Sequence, residues 1–526
     1  DSSDQLSIDI VEAYADVINV VVNLVSELVG SGLSLSSTSD FFADNGTSFS
    51  TSSPDPSDLL AQIKADSTLA ANVPTLAAAA TFDDIAKNFT VVADIDDSVV
   101  TVLNNATNID TPDFALDSAA PSVVVTEVSA VDSFFTDESF VGAVGSTDWT
   151  AGWTKAGTDS TRSTLDLGGL AVTDLATESN WTVETTDGDG GTISVHSGNA
   201  SIKRLVGDFG DNVYLDSDYE WIISGVVNIG DGTASSNIEI EAGTTIRGLD
   251  EGSQKGVLVI RQNAQIFAEG TASAPIVFTS AKLAGAYSQD WGGLIICGKA
   301  TTNLASSTGD PEGLTTGSAP YGGTDDADNS GVLKYVRIEY GGWQIDSETE
   351  LNGVGFYAVG SGTTVEYLQV HRNSDDGVEF FGGTVNVKYL LVTGCEDDSI
   401  DWTEGYRGKI QYAIVQQYPG FGDRGIEADN RGSDNSATPT SHPVLANITL
   451  IGGEDGDTGM VLRAGTEIEV YNSIVMNWQD AGVDVDDKTN TPDSGLTIAS
   501  VLFANTANYE DDSDGSDLEL ITGTRN

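Results

Sequence analysis

The stretch NSDDGVEFFGGTVNVKYLLVTGCEDDSIDW (residues 373–402) contains one short motif twice: an acidic doublet, a small residue, and a strand-like segment with another carboxylate. The doublets Asp375-Asp376 and Asp397-Asp398 stand 22 residues apart. Aligned on the small residue, the motif recurs at intervals of 24, 22, 26, 34 and 23 residues in LNGVGFY (351–357), SDDGVEF (374–380), EDDSIDW (396–402), GDRGIEA (422–428), GDTGMVL (456–462) and QDAGVDV (479–485). This spacing predicts an internal repeat.

A second series of strand-like segments lies between the first, and each of its members carries a tyrosine. Tyr367, Tyr389 and Tyr412 are 22 and 23 residues apart, and Tyr335 precedes them in KYVRI (334–338). Two or three short strands in every 22–26 residues are what one coil of a parallel β-helix needs, because each coil advances by one strand spacing of about 4.8 Å. A propeller blade is nearly twice as long. The sequence therefore predicts an all-β solenoid of the parallel β-helix type.

The 526-residue chain changes in character along its length. Residues 1–120 show helical patterns around a Ser/Thr-rich linker, which predicts an α-helical N-terminal region. Residues 121–214 are mixed and loop-rich, and the two tryptophans among glycines at 142–157 favour a packed cap over a binding platform. From 215 to 526 short apolar segments alternate with Gly, Asp, Asn and Thr, as expected for the β-helix.

The charge balance restricts the partners. Lys and Arg total 22 against 81 Asp and Glu, a formal net charge of −59, which excludes nucleic acid and anionic lipid because both require clustered cations. No apolar run is long enough to span a membrane without charges. Cation binding, a saline outer environment and solubility by charge remain compatible with the composition.

Two further features bear on the compartment. The chain begins at Asp1 without a methionine, as a processed mature protein would, so we expect an exported protein. Cys297 and Cys395 do not form a disulfide framework, and we expect two isolated thiols rather than a bridge, although a single bridge is not excluded by the sequence.

The amino-acid sequences of several segments also resemble those of a known family. These are EAGTTIRG (241–248), AEGTASAPIVFTSA (268–281), DWGGLIICGKA (290–300), SGVLKYVRIEYGG (330–342) and ELNGVGFYAVGSGTTVEYLQV (350–370), together with the doublet region. They look like a family of secreted right-handed, pectate-lyase-like parallel β-helix proteins, often lipoproteins, of Gram-negative bacteria. The resemblance covers roughly residues 140–505 and implies the handedness and the compartment, but no particular activity.

Strand alternation assigns a direction to each residue of the repeated motif. The apolar positions would stack inside as two columns: Val354, Val378, Ile400, Ile426, Met460 and Val483, and Phe356, Phe380, Trp402, Ala428, Leu462 and Val485. Glu379, Asp401 and Glu427 would then face outward on consecutive coils. Stacked like charges repel one another, so a bound cation, a raised pKa or an arginine must relieve them, and Arg424 and Arg407 are the local candidates.

The acidic doublets lie in the turns before these strands, where an aspartate most often accepts hydrogen bonds from backbone amides. Stacked with the outward row, they nevertheless form one acidic edge. The first hypothesis is a Ca²⁺ site that staples adjacent coils, with ligands drawn from Asp375, Asp376, Glu379, Asp397, Asp398, Asp401 and Glu427.

A second hypothesis makes the edge the groove of a polysaccharide lyase or glycoside hydrolase, with Asp398 as the acid, Asp376 as the base and Arg424 as the partner of the substrate carboxylate. A third treats it as the solvated face of a rigid rod whose function is assembly. We predict a non-enzymatic structural or adhesive protein, secreted or at the bacterial cell surface, self-associating or bound to a surface polymer and stabilised by calcium. A secreted carbohydrate-active enzyme is the alternative.

Overall fold

The computed structural model divides the chain into two compact units, Asp1–Thr90 and Val91–Asn526. All described residues belong to the second unit: 93–94, 102–105, 108–116, 123–156, 170–233, 235–282, 285–346, 349–486, 495–512 and 515–516. The predicted helices within residues 1–92 lie outside them. The described part of the region from 93 to 116 forms short strands, and the three-part division of the chain stays a prediction.

The N-terminal third of the described residues contains one helix, a separate antiparallel pair of strands, and three antiparallel strands that lead into the solenoid. The helix α1 is Val172–Leu175, and single 3₁₀ turns lie at Val128–Ala130 and Glu178–Asn180. The strands are β1 (Ala93–Asp94), β2 (Leu103–Asn105), β3 (Asp113–Leu116), β4 (Trp181–Thr186), β5 (Thr192–His196), β6 (Asn199–Phe209), β7 (Val213–Leu215), β8 (Glu220–Ile229), β9 (Ser236–Ile240) and β10 (Thr245–Gly248). The antiparallel pair is β2 and β3, and the three antiparallel strands are β4 to β6.

The strands that follow form the body of the solenoid and a short C-terminal hairpin. They are β11 (Val257–Ile260), β12 (Ala264–Glu269), β13 (Ile276–Ser280), β14 (Gly293–Cys297), β15 (Gly331–Glu339), β16 (Val354–Tyr357), β17 (Thr364–His371), β18 (Val378–Phe381), β19 (Asn386–Thr393), β20 (Ile400–Thr403), β21 (Lys409–Gln416), β22 (Ile426–Asp429), β23 (Val444–Ile451), β24 (Thr458–Arg463), β25 (Ile468–Tyr471), β26 (Ile474–Met476), β27 (Ala481–Val485), β28 (Leu496–Ala499), β29 (Leu502–Ala504), β30 (Asp511–Asp512) and β31 (Gly515–Ser516).

These strands build a right-handed parallel β-helix with three faces. Sheet I contains β11, β14, β16, β18, β20, β22, β24 and β27, each paired in parallel with the strand one coil away. Sheet II contains β12, β25, β28 and the first halves of the long strands β15, β17, β19, β21 and β23; sheet III contains β10, β13, β26, β29 and the second halves of the same long strands. The coils begin with the parallel pairing of β6, from Ile202, with β8, and the isolated strand β1 pairs in parallel with β29 at the other end of the ladder. The predicted fold class is therefore confirmed.

The interior is a continuous apolar stack. Both predicted inward columns lie in one core cluster, and each of their members is fully buried. Phe356 and Phe380 stack with ring centroids 5.3 Å apart, and Phe380 stacks on Tyr406 at 4.3 Å. The alternation of inward and outward side chains read from the sequence is thus the alternation in the structure.

The tyrosine series marks the corner between sheets II and III. Tyr335, Tyr367, Tyr389 and Tyr412 have backbone φ angles of 48°, 55°, 60° and 63°, in the left-handed region that turns the chain sharply within a single residue. Their rings stack outside the solenoid with centroids 4.3, 4.3 and 4.8 Å apart. The tyrosine spacing therefore reports the position of this corner in each coil.

Steric crowding explains why a small residue precedes the strands of sheet I that carry the repeated motif. A Cβ atom on Gly377 would lie 2.4 Å from Val392 and 2.6 Å from the carbonyl oxygen of Ser399 on the next coil. We expect Gly377→Val to lower the free energy of unfolding by about 3 kcal/mol through overpacking. Gly188→Val is the matched control, because a Cβ atom added at that position would meet nothing within 4 Å. Equal urea denaturation midpoints for the two variants would contradict this account.

Candidate functional site

The acidic doublets lie in the turns that carry the chain from sheet III to sheet I. The Asp376 carboxylate accepts a hydrogen bond from the backbone N–H of Asp398 at 3.1 Å, and the Asp398 carboxylate accepts one from the N–H of Arg424 at 2.8 Å. Each of these aspartates therefore bonds the turn of the following coil. Asp376 and Asp398 therefore both have the turn-forming role expected for an aspartate at this position.

The outward row predicted from the sequence follows the strands of sheet I. Glu379 pairs in register with Asp401, and Asp401 pairs with Glu427. All three face away from the core, but none is fully solvated: Glu379 is 9% exposed, Glu427 is 8% exposed and Asp401 is half-buried. The expectation of an outward row is confirmed, and the row lies in a covered groove rather than on an open face.

Two long loops between the early coils cover the groove. Residues 298–330 and 340–353 pack Ala319, Tyr321 and Leu351 against the outward side chains of sheet I, including Tyr357 and Phe381. Asn352, at the end of the second loop, donates from Nδ2 to Glu379 Oε2 at 2.5 Å. These loops are the reason that carboxylates on the outside of a solenoid become buried.

The carboxylates form overlapping groups small enough to surround one ion. One oxygen from each of Asp376, Glu379 and Asp401 lies within 4.8 Å of the others, and the same holds for Asp375, Asp376 and Asp397. A third group comprises Asp397, Asp398 and Asp423. Ligands on opposite sides of a calcium ion are about 4.6–5.2 Å apart, so these groups have the required dimensions.

Among the residues that the structure describes, arginines contact the row at its C-terminal end only. Arg424 Nη1 lies 2.5 Å from Glu427, 2.9 Å from Asp423 and 3.6 Å from Asp398. Arg463 also contacts Glu427 and lies 2.7 Å from Asp429. Arg424 thus has the charge-compensating role expected for it.

Arg407, the other predicted counter-ion, does not lie at the row. It points to Asp326, with an N–O distance of 3.4 Å, and donates to the carbonyl oxygen of Gly405. Its position in the turn after sheet I, one corner further along the coil, places it away from the outward column of that sheet.

The N-terminal end of the row, Asp375, Asp376, Glu379 and Asp401, is hereafter the acidic cluster. Among the described residues, no Lys or Arg nitrogen lies within 4.0 Å of its carboxylates. Burial raises the pKa of Asp375 to about 7, helped by the charges of Glu350 and Asp397. Burial and the neighbouring carboxylates raise the pKa values of Asp376, Glu379 and Asp401 well above the ordinary range.

Two oxygens at the cluster have no hydrogen-bond partner among the described residues: Asn352 Oδ1 and Asp401 Oδ1. Asn352 is 5% exposed, so its amide oxygen cannot be satisfied by bulk solvent. Carboxylate and amide oxygens are the donors that Ca²⁺ prefers. The donor set therefore fits a hard divalent cation, which would supply the missing positive charge and take up both oxygens.

Sequence reasoning missed the residues that the long loops bring to the groove. Glu312 and Glu350 come close enough for their charges to raise the pKa of Asp375, and Tyr321 donates from its hydroxyl to Glu404 at 2.9 Å. Burial raises the pKa of Glu404 to about 7. The only available signal was the interruption of the repeat between residues 298 and 353, which shows that loops are inserted but not where they fold back.

The sequence of the solenoid matches a family model, the pectate-lyase-like β-helix domain, over residues 207–520. The chain belongs to this family. No curated protein and no solved structure matches the chain. Pectate-lyase-like β-helix domains are typically extracellular, and their fold serves both surface proteins and polysaccharide-active enzymes. Within the described residues of this family member, no helix has the length and apolar character needed to cross a membrane.

Membership of the pectate-lyase-like β-helix family does not decide between those two functions. The structure brings the predicted catalytic trio together, since Asp376 bonds the turn of Asp398 and Asp398 bonds Arg424. Both aspartates are nearly inaccessible, at 6% and 4% exposure, and both are engaged by backbone amides. The catalytic alternative stays a prediction. Cys297 and Cys395 are free and buried, which confirms two isolated thiols.

Proposed function

We propose that this protein is a structural protein of the bacterial cell surface, secreted, stabilised by calcium and assembled from copies of itself. The observation that carries the proposal is the uncompensated acidic cluster. Four carboxylates are gathered in a covered groove where no Lys or Arg of the described residues pairs with them, whereas the next coil of the same row has two arginines. A structural ion accounts for this difference between neighbouring coils.

The groove favours a structural ion over a catalytic one. Glu379 and Asp401 lie on adjacent strands of sheet I, and Asp376 lies in the turn that precedes the first of them. A cation bound among them joins two coils of the solenoid directly. Glu379 is 9% exposed and accepts a hydrogen bond from Asn352, so its carboxylate is not presented to a polymer.

Calcium binding tests the site. We expect the full chain to bind Ca²⁺ in isothermal titration calorimetry, and Asp401→Asn to weaken binding about tenfold or more, because it removes a charged ligand from the innermost group. Asp480→Asn removes the same charge from an exposed turn and should bind like the unmodified chain. Unchanged affinity in Asp401→Asn, or no binding to the full chain, would contradict the proposed site.

Self-association is the second part of the proposal. Its support is indirect: a rod-like fold leaves strand edges at its ends, which must be covered or paired. Electron micrographs of the purified protein in calcium should show ordered polymers or arrays. A protein that stays strictly monomeric at high concentration in calcium would refute this part and leave the calcium site untouched.

A further inference from the structure

A segment outside the solenoid lies against its surface like a bound peptide. Residues 123–156, hereafter the strap, contribute no β-strand, and their only regular element is the 3₁₀ turn at Val128–Ala130. The parallel ladder of the solenoid is complete without the strap. Residues 157–169 connect the strap to the rest of the chain, outside the described residues.

Three side-chain amides of the solenoid hold the strap by its backbone. Gln369 accepts from the N–H of Lys155 at 2.8 Å and donates to its carbonyl oxygen at 2.6 Å. Gln411 bonds the N–H and the carbonyl of Thr136 in the same way, at 2.9 and 2.7 Å.

Asn472 repeats this arrangement with Thr126, at 2.7 and 2.8 Å. A carboxamide offers a donor and an acceptor in the geometry of a peptide group. Two such hydrogen bonds therefore recognise the peptide backbone, whatever side chain the bound residue carries. Gln369, Gln411 and Asn472 are each fully buried. Three such pairs along one surface form a clamp for an extended peptide.

The strap also covers apolar and aromatic surface. Val141, Ala143 and Val144 pack on outward residues of sheet III, among them Ile414 and Ile451. Trp149 packs edge-on against Tyr367 and Tyr389, with centroids 6.4 and 5.5 Å away, and Trp153 packs against Tyr335 at 5.5 Å. The tryptophan segment therefore covers the tyrosine corner along the side of the solenoid.

We infer that the outer surface along the corner between sheets II and III is a peptide-binding groove, and that the strap is a ligand that can be exchanged with the strap of a second copy of this chain. The second copy is the favoured occupant because every copy carries a segment already complementary to the groove in backbone bonds, apolar contacts and aromatic contacts. Exchange of an identical segment needs no new interface and is a low-cost route to oligomers. The inference rests on the self-association in the proposed function and identifies the segment through which two copies would make contact.

Energy transfer between two labelled full-length chains tests the exchange. One sample carries a donor dye at Ala151→Cys in the strap, and the other an acceptor at Thr364→Cys on the solenoid; both positions are exposed, whereas Cys297 and Cys395 are 1% exposed and stay unlabelled. On incubation of the concentrated mixture we expect transfer between molecules, together with dimers and larger species in light scattering.

Variants of the clamp identify the groove. Gln411→Leu removes both bonds to Thr136 and should speed the appearance of transfer about tenfold, with Asn472→Ala as a second variant if the first folds poorly. Gln265→Leu, whose amide bonds Asn329 away from the strap, should leave the rate unchanged. Polymers that form without transfer would overturn strap exchange while sparing self-association, and the absence of both would overturn the two together.

Discussion

Removal of calcium with EDTA should lower the midpoint of thermal unfolding by about 2–3 °C at pH 8 and by much less at pH 5. A ligand present at one hundred times its dissociation constant stabilises the native state by about 2.7 kcal/mol, and a chain of 526 residues, with an unfolding entropy of about 2.1 cal/mol/K per residue, converts this free energy to a shift of that size. Differential scanning calorimetry in matched buffers measures both shifts.

The pH dependence follows from the acidic cluster in its calcium-free state. Burial raises the pKa of Asp375 to about 7 and those of Asp376, Glu379 and Asp401 well above the ordinary range, so between the ordinary and the raised values the native state holds more protons than the unfolded state. Its free energy of unfolding therefore falls as pH rises through that window.

The pKa of Asp375 is raised to about 7, so this carboxyl of the calcium-free cluster is protonated at pH 5 and ionised at pH 8, where we expect calcium to stabilise the fold most. Asp401→Asn, with one charge fewer, should show a smaller EDTA effect at pH 8 than the unmodified chain. An EDTA effect of equal size at both pH values would count against the site.

Arg424→Gln should lower the free energy of unfolding by about 3 kcal/mol, because it leaves buried carboxylates without their partner. Arg424 Nη1 contacts Asp398, Asp423 and Glu427, and two of these are less than 10% exposed. Arg463 still pairs with Glu427 and limits the loss. Urea denaturation with and without calcium is the measurement.

Calcium should restore part of the stability of Arg424→Gln, since the change frees the group Asp397, Asp398 and Asp423, whose oxygens lie within 4.8 Å of one another. Arg407→Gln is the matched control: its partner Asp326 is 45% exposed, and such a partly exposed pair contributes about 1 kcal/mol or less. Similar losses in the two variants, or no calcium response in Arg424→Gln, would show that Arg424 does not occupy the place of a cation.

The repeat contained nearly all the information needed for the solenoid. The positions of Gly377 and Ser399 gave the register of sheet I, and alternation from there placed Phe380 and Trp402 inside and Glu379 and Asp401 outside. This succeeds because every coil repeats the same local choices, so one correct register fixes all of them.

The covered groove could not be predicted from the repeat, because the residues that cover it do not repeat. Asn352, Glu350 and Tyr321 belong to inserted loops that do not repeat, and their return over sheet I depends on contacts between residues far apart in the sequence. Arg407 shows the same limit on a smaller scale: nearness in sequence to Asp401 suggested a counter-ion, but the turn between them directs it to Asp326. The strap clamp has no sequence signature, since any glutamine on an outward position could form it.

The in-register pairing of Glu379 with Asp401 gives the solenoid a mechanical property. In a stack where each coil contacts only its neighbours, tension along the axis passes through every interface in turn, and the weakest one determines the force that the whole can bear. When no cation is bound and both carboxylates are ionised, the step between these two strands carries facing negative charges in the middle of the stack. A cation bound between the two strands would strengthen the interface that otherwise ruptures first. The force needed to unfold the rod would therefore increase with the calcium concentration of its surroundings.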